Sequence, residues 1–239
     1  MPNLYYTDLG RAAYEPTLRL QKTCVRRLQA HPTDDVFLLL VEHDPPVITF
    51  GRRGRPEHLL ASPAAIAAQG IEIHHTRRGG QVTYHGPGQL VGYPILALHP
   101  GRRPLRRYVR GLEEALIRLL RRFDIPAGRA DGLTGVWVAD EKIAAIGIAL
   151  DRWVAYHGFA LNVCPNLAHF DLIVPCGLAR SPSGGQAGGR TTSMSRVLGR
   201  AVSISEIKPI LVESLAEVLR LAATRLRLSR EPTTHASCA

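Results

Sequence analysis

A chain of 239 residues, 45% hydrophobic and 21% charged, is long enough to bury one sizeable core and has the composition of an ordinary soluble globular protein. No apolar run reaches the length of a membrane span, no basic-then-apolar leader opens the chain, and four cysteines (24, 164, 176, 238) lack the spacing of a disulfide framework. The net charge of +10, from 30 Lys+Arg against 20 Asp+Glu, suits nucleic acid or an acidic protein partner, yet the arginines are scattered without interleaved aromatics. These properties predict a cytoplasmic protein with one domain over residues 1–230 and a frayed tail over 231–239, with no membrane and no nucleic acid among its partners.

Apolar residues at 14, 18, 25 and 28 predict a first helix, with Pro16 in its opening turn. His31 to Asp34 reads as a turn, and the apolar run 36–41 as a buried strand. Pro45 and Pro46 force an irregular entry into a second extended piece over 47–51. Ser62 caps a short helix with Pro63 at its first position and Gly70 at its end. The alternating segment 71–76 is a strand that delivers the chain into a run from Arg77 to Gln89, which holds four glycines and a proline. Strand 89–98 follows. Pro104 then opens a helix whose apolar face carries 105, 108, 109, 112, 116, 119, 120 and 123. Strands are predicted over 136–138, 143–150 and 153–163, the first two separated by a turn at 139–141. Residues 181–189 have flexible-loop composition. Ser203 and Glu206 make a capping box for a helix with apolar positions at 211, 215, 218, 219, 222 and 226. There is no internal repeat. The order of elements predicts an α+β fold with one mixed, mainly antiparallel sheet flanked by helices.

Three places carry chemistry. The run from Arg78 to His85 combines backbone that can approach a ligand closely with the polar side chains of Arg78, Thr83, Tyr84 and His85, and reads as a pocket wall. Lys142 stands at the start of a strand apolar on both faces, so it either snorkels to water or is partly desolvated and able to exchange a proton. Only lysines 22, 142 and 208 occur in this arginine-rich chain, and arginine could not exchange a proton near neutral pH. Cys176, between Pro175 and Gly177, fits a nucleophile with an open backbone donor beside it, or a small buried hydrophobe. His85 and His157 lie among glycines and read equally as pocket groups or as satisfied structural histidines. His157, Cys164, His169 and Cys176 match no zinc spacing, so no metal is expected. An acyl transferase, an ATP-dependent ligase and a noncatalytic basic binder all remain open on these residues. The fingerprints of nucleotide binding are absent.

Arg78-Gly79-Gly80-Gln81-Val82-Thr83-Tyr84-His85-Gly86-Pro87-Gly88-Gln89-Leu90, Lys142 to Gly147, His157 to Asn162 and Pro175-Cys176-Gly177 resemble the octanoyltransferases of lipoate biosynthesis. Glu42-His43, Pro46-Val47, Thr49-x-Gly51 and Thr192-Ser193-Met194 extend the likeness from about Phe37 to Met194. The resemblance implies the fold of the biotin and lipoate protein ligases and an octanoyl or lipoyl transfer that needs no cofactor. The donor would be octanoyl-acyl carrier protein. The acceptor would be a lysine of the lipoyl domains of 2-oxoacid dehydrogenases or of the glycine cleavage H protein, and the enzyme a monomer. It implies Cys176 as the thioester nucleophile and Lys142 as the group that lowers its pKa. Acyl contacts are implied at Arg78, Gly79, Gly80, Gln81, Val82, Thr83, Tyr84 and His85, at Ala145, Ile146 and Gly147, and at Gly158, Phe159 and Ala160. Two features depart from the family pattern: the length of Ser181 to Gly189, and Arg77 before the Arg-Gly-Gly. An ATP-dependent lipoate ligase shares the fold, but has no use for a Pro-Cys-Gly nucleophile.

Overall fold

The computed structural model describes residues 1–98, 105–174 and 191–226. Its elements in chain order are β1 (Asn3–Ala12), α1 (Tyr14–Ala30), β2 (Val36–His43), β3 (Val47–Phe50), α2 (Pro63–Ala67), β4 (Glu72–His75), β5 (Val82–His85) and β6 (Gln89–Ala97). Then follow α3 (Leu105–Arg121), β7 (Ala127–Gly128), β8 (Val136–Val138), β9 (Glu141–Asp151), β10 (Val154–Asn162), α4 (Met194–Leu198), α5 (Ile204–Leu219) and β11 (Ala222–Arg225). Pro104 as a helix start, Cys176, Cys238, the segment 181–189 and the tail 231–239 lie outside the described residues.

Eight strands form one mixed sheet in the order β11-β1-β2-β6-β10-β9-β8-β7. The two pairs made by β1 are parallel, and the other pairs are antiparallel. The expectation of an α+β fold with a mixed, mainly antiparallel sheet therefore holds. The expectation of a single sheet does not, because β4, β3 and β5 form a separate three-stranded sheet.

Each face of the large sheet is covered by helix. On one side Leu112, Leu116, Leu119 and Leu120 of α3 pack with Ile207, Leu211 and Leu215 of α5 against Leu38, Leu40, Leu90 and Leu161. Every one of these side chains is almost wholly buried, which stabilises the fold by about 1.5–3 kcal/mol apiece relative to exposure. On the other side Val25 and Leu28 of α1 cover Leu39, Val41, Val91 and Ile95. The small sheet has its own core, in which Ile48, Phe50, Val82 and Tyr84 meet Ile66 of α2 together with Phe170 and Ile173.

Two further expectations are corrected. The helix predicted to run to 226 ends at Leu219, because Arg220 turns left-handed at φ 57° and 222–225 pair in parallel with β1. Strand pairing outweighs the helical spacing of the apolar positions there. The strand β1 has no counterpart in the sequence reading, since Gly10 and its mixed burial blur any alternation. No helix of the described residues is long and apolar enough to cross a membrane.

Candidate active site

A cavity of about 450 Å³ opens between the Arg78–His85 run and strands β9 and β10, with the 132–134 loop and Leu105 and Val109 of α3 along its third side. It brings together Arg78, Gly79, Gly80, Gln81, Thr83 and His85 from one segment, Ala145, Ile146 and Gly147 from β9, and Gly158, Phe159 and Ala160 from β10. Lys142 lines it as well. Val82 and Tyr84 do not. On β5 successive side chains point to opposite faces, so Thr83 and His85 meet the cavity while Val82 and Tyr84 enter the core of the small sheet. The Tyr84 hydroxyl hydrogen-bonds His169 Nδ1 at 2.8 Å, behind that wall.

The wall that carries Arg78 is held by polar bonds. The Arg78 guanidinium is 6% exposed and donates from Nε and Nη2 to Thr49 Oγ1 (3.1 and 2.9 Å), from Nη2 to Thr49 O (2.5 Å), and from Nη1 to Gly79 O (3.0 Å). Gly79 N donates to Ile148 O at 2.8 Å and so ties the glycine run to β9.

His85 stands at the head of a relay that fixes its tautomer. Asn162 Nδ2 donates to the carbonyl of Thr192 (3.0 Å), leaving Asn162 Oδ1 to accept from Gln89 Nε2 (2.8 Å). Gln89 Oε1 must then accept from His85 Nδ1–H, at 2.7 Å. The remaining ring nitrogen, Nε2, is an acceptor. Burial, reinforced by His43, pushes the His85 pKa down to about 3, so the ring is neutral. The relay continues through backbone, because Thr192 N donates to Lys142 O at 3.0 Å.

Behind His85, His43 Nδ1 lies 3.1 Å from Ala12 O, which can only accept, so His43 Nε2 accepts from the Tyr93 hydroxyl at 2.7 Å. Burial lowers the His43 pKa to about 4. Tyr93 and Tyr14 both line the cavity and are almost fully buried. Burial keeps the Tyr14 hydroxyl protonated; it lies near Thr76 without a hydrogen bond of ordinary geometry. Sequence reasoning missed these two tyrosines. Tyr14 has the spacing of a core-facing helix residue and Tyr93 that of a buried strand residue, and neither carries a further local signal.

Lys142 is 7% exposed and so largely withdrawn from water. Its Nζ lies 4.7 Å from the centroid of the Trp137 ring, where the face of the indole favours a cation. Gly135 runs alongside at φ 125°; a Cβ there would stand 2.7 Å from Ala144 O and 3.6 Å from Lys142 Cε. The loop leading to Gly135 is clamped by Glu113, a fully buried carboxylate on α3. Glu113 accepts from Arg110 Nη1 (2.8 Å), Arg129 Nε (3.1 Å) and Gly135 N (3.2 Å). Two charge partners and a backbone donor satisfy it, as a buried charge requires. This clamp, too, was not foreseen, since its members are spread over 26 residues of helix and loop.

The opposite wall is shaped by close approach. The Phe159 ring lies over Gly92, where a Cβ would sit 2.2 Å from Cζ. A Cβ at Gly158 would sit 2.1 Å from Gly92 O. Bare backbone at both positions lets β10 press onto β6. Among the described residues no group of three or more His, Cys, Asp or Glu could hold a metal ion.

The lipoyl protein ligase A/B catalytic domain family matches residues 13–216. An octanoyltransferase of Solibacter usitatus is 49% identical over 208 residues, covering 87% of this chain and 89% of that protein. An octanoyltransferase of Myxococcus xanthus is 46% identical over 216 residues, covering 88% of this chain, which spans 58% of that protein's length. Among solved structures, lipoate-protein ligase A bound with ATP superposes with a TM-score of 0.74 at 17% identity, covering 95% of this chain and 90% of that one. A bipartite lipoate protein ligase from Thermoplasma acidophilum superposes with a TM-score of 0.72 at 18% identity, covering 95% and 88%. At such low identity the structural likeness speaks for the fold alone.

Proposed function

We propose that this chain, which belongs to the octanoyltransferase family built on the lipoyl protein ligase A/B catalytic domain, transfers an octanoyl group from acyl carrier protein to a lysine of lipoyl domains. The observation that carries this reading is a buried lysine, Lys142, among the lining groups of a cavity to which β9 and β10 add Ala145, Ile146, Gly147, Ile148, Gly158, Phe159 and Ala160. An aliphatic chain can lie against such walls, and an amine beside it can exchange a proton.

In this reading Cys176 Sγ, as thiolate, attacks the carbonyl carbon of the incoming thioester. The carrier thiolate leaves and takes up the proton of the Lys142 ammonium, which becomes neutral, and the octanoyl group stays on sulfur. The acceptor lysine amine then attacks that carbonyl, its proton passes to neutral Lys142, and the Cys176 thiolate departs. Lys142 as an ammonium stabilises the thiolate before the first step. Thioester to amide is downhill, so neither ATP nor a cofactor is required. The walls at Arg78–Gln81, Thr83 and His85, at Ala145–Gly147 and at Gly158–Ala160 hold the chain. The net charge of +10 steers an acidic carrier and acidic lipoyl domains, whose association would slow with added salt. A cytoplasmic monomer with one domain suits the role.

The test is intact mass after incubation with octanoyl-acyl carrier protein. An octanoyl adduct should form, vanish in Cys176→Ala, and in Lys142→Arg form without being passed on at more than about one-hundredth of the normal rate, since arginine cannot take the amine proton. Transfer that survives Cys176→Ala and depends on ATP would instead identify a ligase.

A further inference from the structure

The ring beside Lys142 is there because of an irregularity in the sheet. β8 and β9 pair with Val138 opposite Glu141 and Trp137 opposite Lys142, yet Val136 stands opposite Ala144. In the register of Val136 and Ala144, Trp137 would face Ile143, a residue of the main core. The bulge takes up that one residue of β9 and turns the indole onto Lys142 instead. The fit is completed from α3, where Glu113 accepts from Gly135 N and fixes the chain two residues before Trp137. The lysine stem lies close to Gly135, whose Cβ, if present, would stand 3.6 Å from Lys142 Cε, and Nζ reaches the indole face, 4.7 Å from its centroid.

An indole is a costly choice for this position. Trp137 is 3% exposed, and among the described residues its Nε1–H has no hydrogen-bond partner. Phenylalanine would fill the site without stranding a buried donor. What the indole adds in return is the aromatic face with the strongest attraction for an ammonium. Lys142 has need of it, because at 7% exposure the loss of water favours the neutral amine. The charged groups around Lys142, among the described residues, are largely engaged elsewhere or distant from it. Glu141 of β9 has Arg196 of α4 at 3.5 Å, and Glu113 is paired with Arg110 and Arg129. Asp131 and Asp140, on the loops at either end of β8, face water, while Arg53, Arg78 and the neutral His85 and His157 line the cavity.

We propose that Trp137 is a positioning residue for the transfer: its ring face keeps the proton on Lys142 in the resting enzyme, against the effect of burial, until the departing carrier thiolate takes it. The two half-reactions ask opposite things of this one amine. Loading needs the ammonium, as counter-ion to the Cys176 thiolate and as proton donor to the carrier sulfur. Transfer needs the neutral amine, which takes a proton from the acceptor lysine and becomes ammonium again. The indole face favours the first state over the second, so it speeds loading at the expense of transfer at low pH. This assignment rests on the acyl-transfer reading above.

The experiment times the two half-reactions separately on the full-length protein, by intact mass. Loading is followed from octanoyl-acyl carrier protein, and transfer from the isolated octanoyl-enzyme to a lipoyl domain across a range of pH. In the octanoyl-enzyme the sulfur carries no charge, so the pH midpoint of transfer follows Lys142. Trp137→Leu and Trp137→Met remove the ring and keep an apolar side chain, while Trp137→Phe keeps a weaker face. Loss of the ring should slow loading by about two- to thirtyfold and lower the transfer midpoint by about 0.4–1.5 pH units, the range of a cation–π contact. Trp137→Phe should fall between these variants and wild type. A ring that only fills space would, on removal, slow both steps and leave the midpoint in place. The assignment is overturned if folded Trp137→Leu or Trp137→Met keeps the wild-type midpoint, or if Trp137→Phe behaves as they do. A wild-type protein with no octanoyl adduct at all would instead count against the transferase reading itself.

Discussion

The two long walls of the cavity are made by opposite means. On the Arg78–His85 side, side chains are oriented by hydrogen bonds: Arg78 to Thr49, and His85 through Gln89 and Asn162 to Thr192. On the β9–β10 side almost nothing polar is spent, and the surface follows from absent side chains, with Phe159 over Gly92 and Gly158 against the Gly92 carbonyl. The first wall can specify the orientation of groups. The second can specify only shape, to the fraction of an ångström that close packing allows. His157 sits where the two meet, bonded to Thr76 and borne on β10.

Acid should act on the first wall and on the seam at His157, and spare the glycine packing of the second. His43, His85 and His157 are buried neutral, with pKa values lowered by desolvation to about 4, 3 and 3 from 6.5. Between those values and 6.5 the unfolded chain binds protons that the folded chain does not, so their stabilisation is full above 6.5 and is lost as pH falls. Each gives up about 2 kcal/mol by pH 5, or roughly 6 kcal/mol together, within the whole stability of many domains. Urea midpoints at pH 7.5 and pH 5.0 measure this; equal midpoints would mean that the histidines are not held neutral.

Gly158→Ala should break the second wall alone. Its Cβ would fall 2.1 Å from Gly92 O and 2.6 Å from Pro94 Cδ, and a backbone carbonyl cannot swing aside. A loss of about 3 kcal/mol or more is expected in urea unfolding, with the same dependence on pH as wild type. A loss below 1 kcal/mol would show that β10 can move off β6. Thr49→Val is a gentler probe of the first wall. It keeps the shape and removes the hydroxyl that accepts from Arg78 Nε and Nη2, at a cost of about 2 kcal/mol by the same measurement. An unchanged midpoint would mean that the Thr49 and Gly79 carbonyls suffice for Arg78.

Much of this arrangement was legible in the chain because its signals are local. Glycine density marked the Arg78–His85 run, a lysine opening an all-apolar strand marked Lys142, and Ser203 with Glu206 marked the start of α5. The alternation that turns Val82 and Tyr84 away from the cavity was equally present, and treating the run as one continuous wall overlooked it. What could not be read is non-local. Gln89 meets Asn162 only because β6 and β10 pair in that register, and Gln21 meets His157 only because α1 lies across the sheet. The end of α5 was misjudged for the same reason, since β1 as a pairing partner lies at the other end of the chain.

That pairing has a kinetic consequence. Asn3 and Ala222 are partners more than two hundred residues apart, so the loop their contact closes is nearly as long as the chain. Local hairpins such as β9–β10 can zip as soon as they are made, whereas β11 docks only after its ends have searched the largest closure in the molecule. Until it does, the Asn3–Tyr6 stretch of β1 keeps one side as an open row of amides and carbonyls. During refolding from denaturant that row is the last to be covered, and it is where strands of two chains would first pair with each other.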